Sequence, residues 1–166
     1  MTRDKPNKTI SQSRAEQSRA EQSRAEQSVF FTSKTNKWET PQWLFDRLNR
    51  IFEFEIDVCA DESNHKCAVY YTEEDDGLKQ DWHGKKVWCN PPYGRQIQQW
   101  VAKAADTVKD NNSLVVMLIP ARVDTSWYHD YISNNPQAHT VFIRGRLQFG
   151  ESHQNAPFPS MIVVFA

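Results

Sequence analysis

The chain has 166 residues, a formal net charge of -1, and 39% hydrophobic and 12% aromatic residues. That length fits one domain with a substantial core, and the balanced charge excludes a global basic field, so any contact with a polyanion must come from local patches. No apolar run reaches membrane-spanning length and the N-terminus has no apolar signal region, so no membrane association and a cytoplasmic protein are expected.

Residues 13–27 read SRAEQSRAEQSRAEQ, three copies of a five-residue unit whose only apolar residue is alanine. Five matches neither 3.6 nor 3.5, so even a helical form has no core-facing stripe. The reading is a low-complexity arm over 1–29, either a solvated tail or an arm that contacts DNA or self-associates, ahead of a globular body over 30–166. The oligomeric state is not legible.

Within the body, ETPQWLFDRLNRIF predicts a helix over about 41–52, with Thr40 as N-cap and Pro41 at the first helical position. Leu44, Phe45, Leu48, Ile51 and Phe52 share its inward face. FEFEIDV, ending at Asp57, and CAVYYT predict two strands separated by the polar DESNHK, and KKVWC predicts a third. IQQWVAKAADTVKD predicts a helix with Ile97, Trp100, Val101, Ala104 and Val108 inward, and the unbroken apolar run SLVVMLIP predicts a strand buried on both faces. DTSWYHDYI predicts a short helix. HTVFIRGRLQF and PFPSMIVVFA predict a closing antiparallel pair. Alternating strands and helices ending in such a pair give an α/β sandwich, whose ligands bind beyond the carboxyl ends of the strands. Cys59, Cys67 and Cys89, even with His65, lack paired metal-ligand spacing, so no disulfide framework, no metal and buried thiols are expected.

Directly after KKVWC comes NPPY, residues 90–93. Two prolines stop a strand, because they cannot donate to the ladder and their φ is fixed. Asn90, preceding a proline, is biased to extended geometry that projects its side chain past the sheet. Pro91 and Pro92 offer carbonyls without competing N–H groups. A planar amino group conjugated to a π-system is a poor nucleophile. Two acceptors, the Asn90 side chain and the Pro91 carbonyl, favour the pyramidal nitrogen that can attack a methyl group, and Tyr93 offers a face for stacking.

NPPY, together with WETPQWLFDRL, DVCA, DGL, VWCNPPYG, LIPARVDTSWY, GRLQF and APFPS, resembles the phage-type DNA N6-adenine methyltransferases over about residues 36–165. The resemblance implies a Rossmann-like class I three-layer sandwich, mainly parallel with a C-terminal antiparallel hairpin, using S-adenosylmethionine on flipped-out adenine in DNA. It implies catalytic Asn90, Pro91, Pro92 and Tyr93 after the fourth core strand. Thr40 and Pro41 would lie near the cofactor's carboxylate, and Asp57, Cys59 and Ala60 would form the cofactor strand end. Either Asp76 or Asp81 would contact its adenine or ribose. Arg95, Arg122, Arg144 and Arg146 are candidates for a DNA-contacting rim, and Phe149 and Phe158 are either base-pocket wall or core. DVCADESNHK lacks the glycine-rich turn of many such enzymes. Two alternatives stay open: a methyltransferase acting on RNA or protein glutamine, and a non-enzymatic DNA-binding protein on a decayed methyltransferase fold.

Overall fold

The computed structural model describes residues 38–150 and 154–166, all within the unit Lys37–Ala166. The SRAEQ repeats, the first residues of the expected body and residues 151–153 lie outside the described residues.

Helix α1 spans Gln42–Phe52. It starts one residue later than the sequence predicts: Pro41, not Thr40, is its N-cap, and the Pro41 carbonyl accepts from the N–H groups of Leu44 (3.0 Å) and Phe45 (3.2 Å). Thr40 makes no cap because its hydroxyl is engaged with Asn90. Leu44 and Phe45 are buried as expected, but Ile51 is 70% exposed. Phe52 takes the inward place in that last turn, stacking on Phe54 at 5.8 Å.

The two strands expected next are short, β1 at Ile56–Asp57 and β2 at Val69–Tyr70. Their ladder runs on through Val58 N–H to the Trp88 carbonyl (3.1 Å) and Tyr71 N–H to the Asp57 carbonyl (2.9 Å). Residues 72–83 hold no strand. Asp76 takes a left-handed φ of 52° there, and Gly77 lies against the Val58 carbonyl, both incompatible with an extended run. NPPY therefore follows the third strand in chain order, β3 (Lys86–Cys89), rather than a fourth.

Helix α2 (Ile97–Thr107) buries Ile97, Trp100, Val101 and Ala104, and the 3-10 turn that continues it buries Val108, as the periodicity predicts. Strand β4 (Leu114–Pro120) is buried from Val115 to its end. The short helix α3 (Ser126–Tyr128) passes into a π-helical turn, His129–Ser133. The long segment expected as the penultimate strand is extended only over β5 (Ala138–Phe142), and β6 (Ser160–Phe165) closes the chain.

The six strands form a mixed sheet in the order β2-β1-β3-β4-β6-β5. The first four strands pair in parallel, β6 runs antiparallel to β4, and β5 runs antiparallel to β6. From β1 the chain builds outward to β2 on one side, then crosses back to β3 and β4 on the other. The carboxyl ends of β1 and β3 thus flank the switch point, where an open sheet leaves a crevice. Among the described residues no helix is long and apolar enough to cross a membrane.

Candidate active site

Asn90 leaves β3 at that crevice, and its carboxamide is held at both ends. The Nδ2 group donates to the Trp38 carbonyl and to Thr40 Oγ1 (3.0 Å). Oδ1 accepts from the Tyr93 hydroxyl at 2.8 Å. An amide oxygen has two lone pairs, so one remains for a further donor. Among the described residues the Pro91 carbonyl accepts no hydrogen bond. The amide does not swing free beyond the sheet as the sequence reading had it. Its nitrogen is fastened to the segment that leads into α1.

Tyr93 departs from its expected open stacking face. It is 6% exposed, and its hydroxyl reaches both Asn90 Oδ1 and the Leu118 carbonyl (3.0 Å) in β4. Its ring meets Phe149 and Phe158 edge-on at 6.1 and 5.5 Å. Trp38 packs edge-on against the same two rings at 5.3 and 5.0 Å. A phenol whose hydroxyl has partners gains by burying its ring among aromatic edges, which accounts for the inward pose. Burial also raises the Tyr93 pKa well above its ordinary value, so the hydroxyl keeps its proton. Phe149 is core, whereas Phe158 and Trp38 are half-buried.

Across the crevice, Asp57 ends β1 beside Trp88 of β3, and it is 2% exposed. Burial raises its pKa to about 6, offset in part by the N–H groups of Lys66 and Cys59 on its two oxygens (3.0 and 3.2 Å). No cationic side chain lies in hydrogen-bonding contact with it among the described residues; the Lys66 ammonium turns instead to Gln42 Oε1 at 2.8 Å. A buried carboxylate that is short of positive charge fits a ligand bearing an ammonium or sulfonium group.

The loop after Asp57 needs no glycine, because none of residues 58–66 has a positive φ. Side chains shape it instead. Asp61 Oδ1 accepts from the N–H groups of Ser63 (2.9 Å) and Asn64 (3.1 Å), while Asn64 Oδ1 accepts from Asp61 N–H at 2.8 Å. Asn64 Nδ2 closes the pair on Asp61 Oδ2 at 2.8 Å. This reciprocal Asx turn fixes the backbone as a glycine turn would.

Cys59 and Ala60 stand just past the β1 end, and the Ala60 N–H is already bonded to the Tyr71 carbonyl (2.9 Å). Pro41 and Thr40 adjoin Asn90 through the Thr40 hydroxyl. The two later aspartates differ in their contacts, although both carboxylates lie within electrostatic reach of the Lys103 ammonium. Gly77 has no room for a side chain, since a Cβ there would lie 2.1 Å from the Val58 carbonyl oxygen, and this contact brings Asp76 to the carboxyl end of β1. Asp81 instead bonds His83 at 2.7 Å and receives Lys85 on its carbonyl, at the amino end of β3 and away from the crevice. The Asp76 carboxylate, for its part, pairs with the Lys79 ammonium at 2.8 Å. The thiols of Cys67 and Cys89 are buried, and burial pushes Cys67 up to about 12.

Arg95 follows the β3 end, Arg122 the β4 end, and Arg144 and Arg146 the β5 end. Since β5 is antiparallel to β6, which is antiparallel to β4, all three of these ends lie on one edge of the sheet. All four arginines are exposed, and none is ion-paired among the described residues.

Sequence reasoning passed over the Trp38 carbonyl and the Asp61/Asn64 pair, and took Gly77 only as part of DGL. A backbone carbonyl leaves no trace in residue type. Gly77, the first of five glycines in the chain, was a legible signal.

The chain matches the model of the DNA N-6-adenine-methyltransferase (Dam) family over residues 27–165. It is 32% identical over 143 residues to the DNA N-6-adenine-methyltransferase of Haemophilus phage HP1, covering 81% of this chain and 82% of that protein. It is also 35% identical over 99 residues to the DNA N-6-adenine-methyltransferase of Escherichia phage T1, covering 58% of this chain and 41% of that protein.

Proposed function

Because the chain belongs to the DNA N-6-adenine-methyltransferase family, we propose that it carries a methyl group from S-adenosylmethionine to the exocyclic N6 of an adenine flipped out of DNA. The observation that carries this reading is the juxtaposition at one crevice of the Asn90 and Pro91 acceptors, ending β3, with the buried Asp57, ending β1. The sheet with its helices is read as a Rossmann-like three-layer sandwich, supported by the strand order and the switch point. We place the protein in the cytoplasm of a bacterial or phage-infected cell, where such DNA resides.

When bound, S-adenosylmethionine supplies a methyl group on a positively charged sulfur. Asp57 would face a cationic part of that molecule, with Cys59, Ala60 and Asp76 around it. The N-terminus of α1, at Thr40 and Pro41, suits the carboxylate. Asn90 Oδ1 and the Pro91 carbonyl each take one hydrogen of the adenine amine, drawing its lone pair out of the ring and onto the line of attack. The amine so held would accept the methyl group that S-adenosylmethionine supplies, and would give up its surplus proton to solvent water. Trp38, whose carbonyl holds Asn90, and Phe158, packed edge-on against it at 5.0 Å, are half-buried and would offer ring surface to the base.

The direct test is transfer of a radiolabelled methyl group to mixed-sequence duplex DNA, followed by nucleoside analysis. Folded protein that yields no N6-methyladenine would overturn the reading.

Two quantitative expectations arise here. Asp57 has a folded pKa near 6, against 3.8 for a free carboxyl. Its contribution to stability is therefore fully present below about 3.8 and is lost as pH rises through 6, amounting to roughly 3 kcal/mol. Without ligand, this group makes the fold less stable at pH 7 than at pH 5. A cationic ligand relieves that burden only while Asp57 is charged. Calorimetric affinity for S-adenosylmethionine should therefore fall about tenfold per unit once pH drops below 6, and a flat profile between pH 5 and 7 would refute the assignment.

The arginine rim gives the second. R144A/R146A should weaken duplex binding and lower the slope of log affinity against log salt by about two, near 0.9 per lost phosphate contact. Fluorescence anisotropy across a salt series measures it, and an unchanged slope would remove these arginines from the interface.

A further inference from the structure

We propose that Thr40 and the Trp38 carbonyl are the positioning groups of the reaction, holding the Asn90 carboxamide by its nitrogen so that only its oxygen faces the substrate amine. The inference rests on the reading of Asn90 as an amine acceptor. A carboxamide free to turn about its terminal torsion presents nitrogen and oxygen alternately to the same point. When nitrogen faces an amine, donor meets donor and the clamp fails.

Here that rotation is blocked. Both Nδ2 hydrogens have acceptors, the Trp38 carbonyl and Thr40 Oγ1. A backbone carbonyl only accepts, so the group facing it must donate, and nitrogen is fixed on that side. Thr40 is 4% exposed, which leaves little access for water to substitute for its hydroxyl. On the far side, the single Tyr93 hydroxyl proton is shared between Oδ1 and the Leu118 carbonyl, which sets the orienting phenol against β4. Contacts from the α1 entry, the NPPY loop and β4 therefore converge on a single torsion.

This arrangement explains why asparagine, rather than aspartate, opens the tetrapeptide in this chain. A carboxylate would set an anionic oxygen against the Trp38 carbonyl, with a lone hydroxyl to compensate. Protonated, the acid would again offer a donor to Trp38 and an acceptor to the substrate. N90D should therefore be an enzyme that works only when the acid holds its proton.

The experiment compares wild type, T40V, T40S and N90D at saturating S-adenosylmethionine, with side-chain amide exchange of Asn90 followed by NMR. T40V should lose about 100-fold in kcat, the scale of a misplaced reacting group, with KM for DNA within about twofold of wild type. T40S, which restores the hydroxyl, should recover most of that loss. N90D should be nearly inactive at pH 8.5 and rise about tenfold per unit as pH falls to 6.5, with no such rise in wild type. The Asn90 amide protons should exchange slowly in wild type and T40S and rapidly in T40V. The exchange measurement needs no turnover: a wild type inactive on DNA defeats the proposed reaction, and exchange still decides the positioning. Unchanged exchange in T40V, an effect of T40V on KM alone, or N90D matching wild type at pH 8.5 would each overturn it.

Discussion

Replacing Asn90 with alanine is expected to abolish methyl transfer, lowering kcat by at least about 1,000-fold, the upper range for removing one electrostatic partner of a transition state. Alanine removes one of the two acceptors that hold the amine. It also releases Tyr93 from its bond at 2.8 Å and leaves the Trp38 carbonyl and Thr40 without their donor. Stripping partners from part-buried groups costs about 1–3 kcal/mol. The variant should therefore remain folded but unfold at lower urea concentration. Product nucleoside analysis, paired with urea unfolding by circular dichroism, separates the two effects. Activity within tenfold of wild type in a folded N90A would dispose of the acceptor role.

The largest effect on stability is expected from Gly77→Ala. The added Cβ would fall 2.1 Å from the Val58 carbonyl oxygen and 3.1 Å from the Trp100 ring. The first of these is backbone at the end of the sheet, which cannot turn aside as a side chain does. Moving it disturbs the Val58 N–H bond to Trp88, and the Trp82 indole bond to the Gly77 carbonyl (2.9 Å) is strained from the other side. A loss of about 3 kcal/mol or more is expected, a large share of a typical domain's margin. Denaturant titration should show a lower midpoint at unchanged slope. A midpoint equal to wild type would mean that residues 76–77 do not seal against β1.

What was legible in the sequence is what depends on local chemistry. Helices α1 and α2 follow from the spacing of Leu44, Phe45, Ile97, Trp100 and Val101, and β4 follows from an apolar run with no polar break. NPPY could be read because proline's fixed φ and missing N–H act wherever it stands. What failed depends on contacts distant in the chain. Thr40 looks like a cap until Asn90, fifty residues on, claims its hydroxyl. Tyr93 looks like an open platform until Phe149 and Phe158 arrive from the last loop. Asp76 and Asp81 look alike on paper; the approach of Gly77 to Val58 shows that the backbone beside Asp76 adjoins the end of β1. The glycine-free loop, which motivated the reading as a decayed fold, loses that force now that Asp61 and Asn64 are seen to build the turn.

That turn has a consequence for how such loops vary over evolutionary time. A glycine turn concentrates its requirement in one position, because most other residues there meet backbone strain. In this loop the requirement falls on a complementary pair of side chains three positions apart. Glu62, exposed between them, supplies no side chain to the pair and is open to drift. Lineages that use this solution can diverge through the loop while keeping its path, and a search keyed to glycine spacing would pass over them.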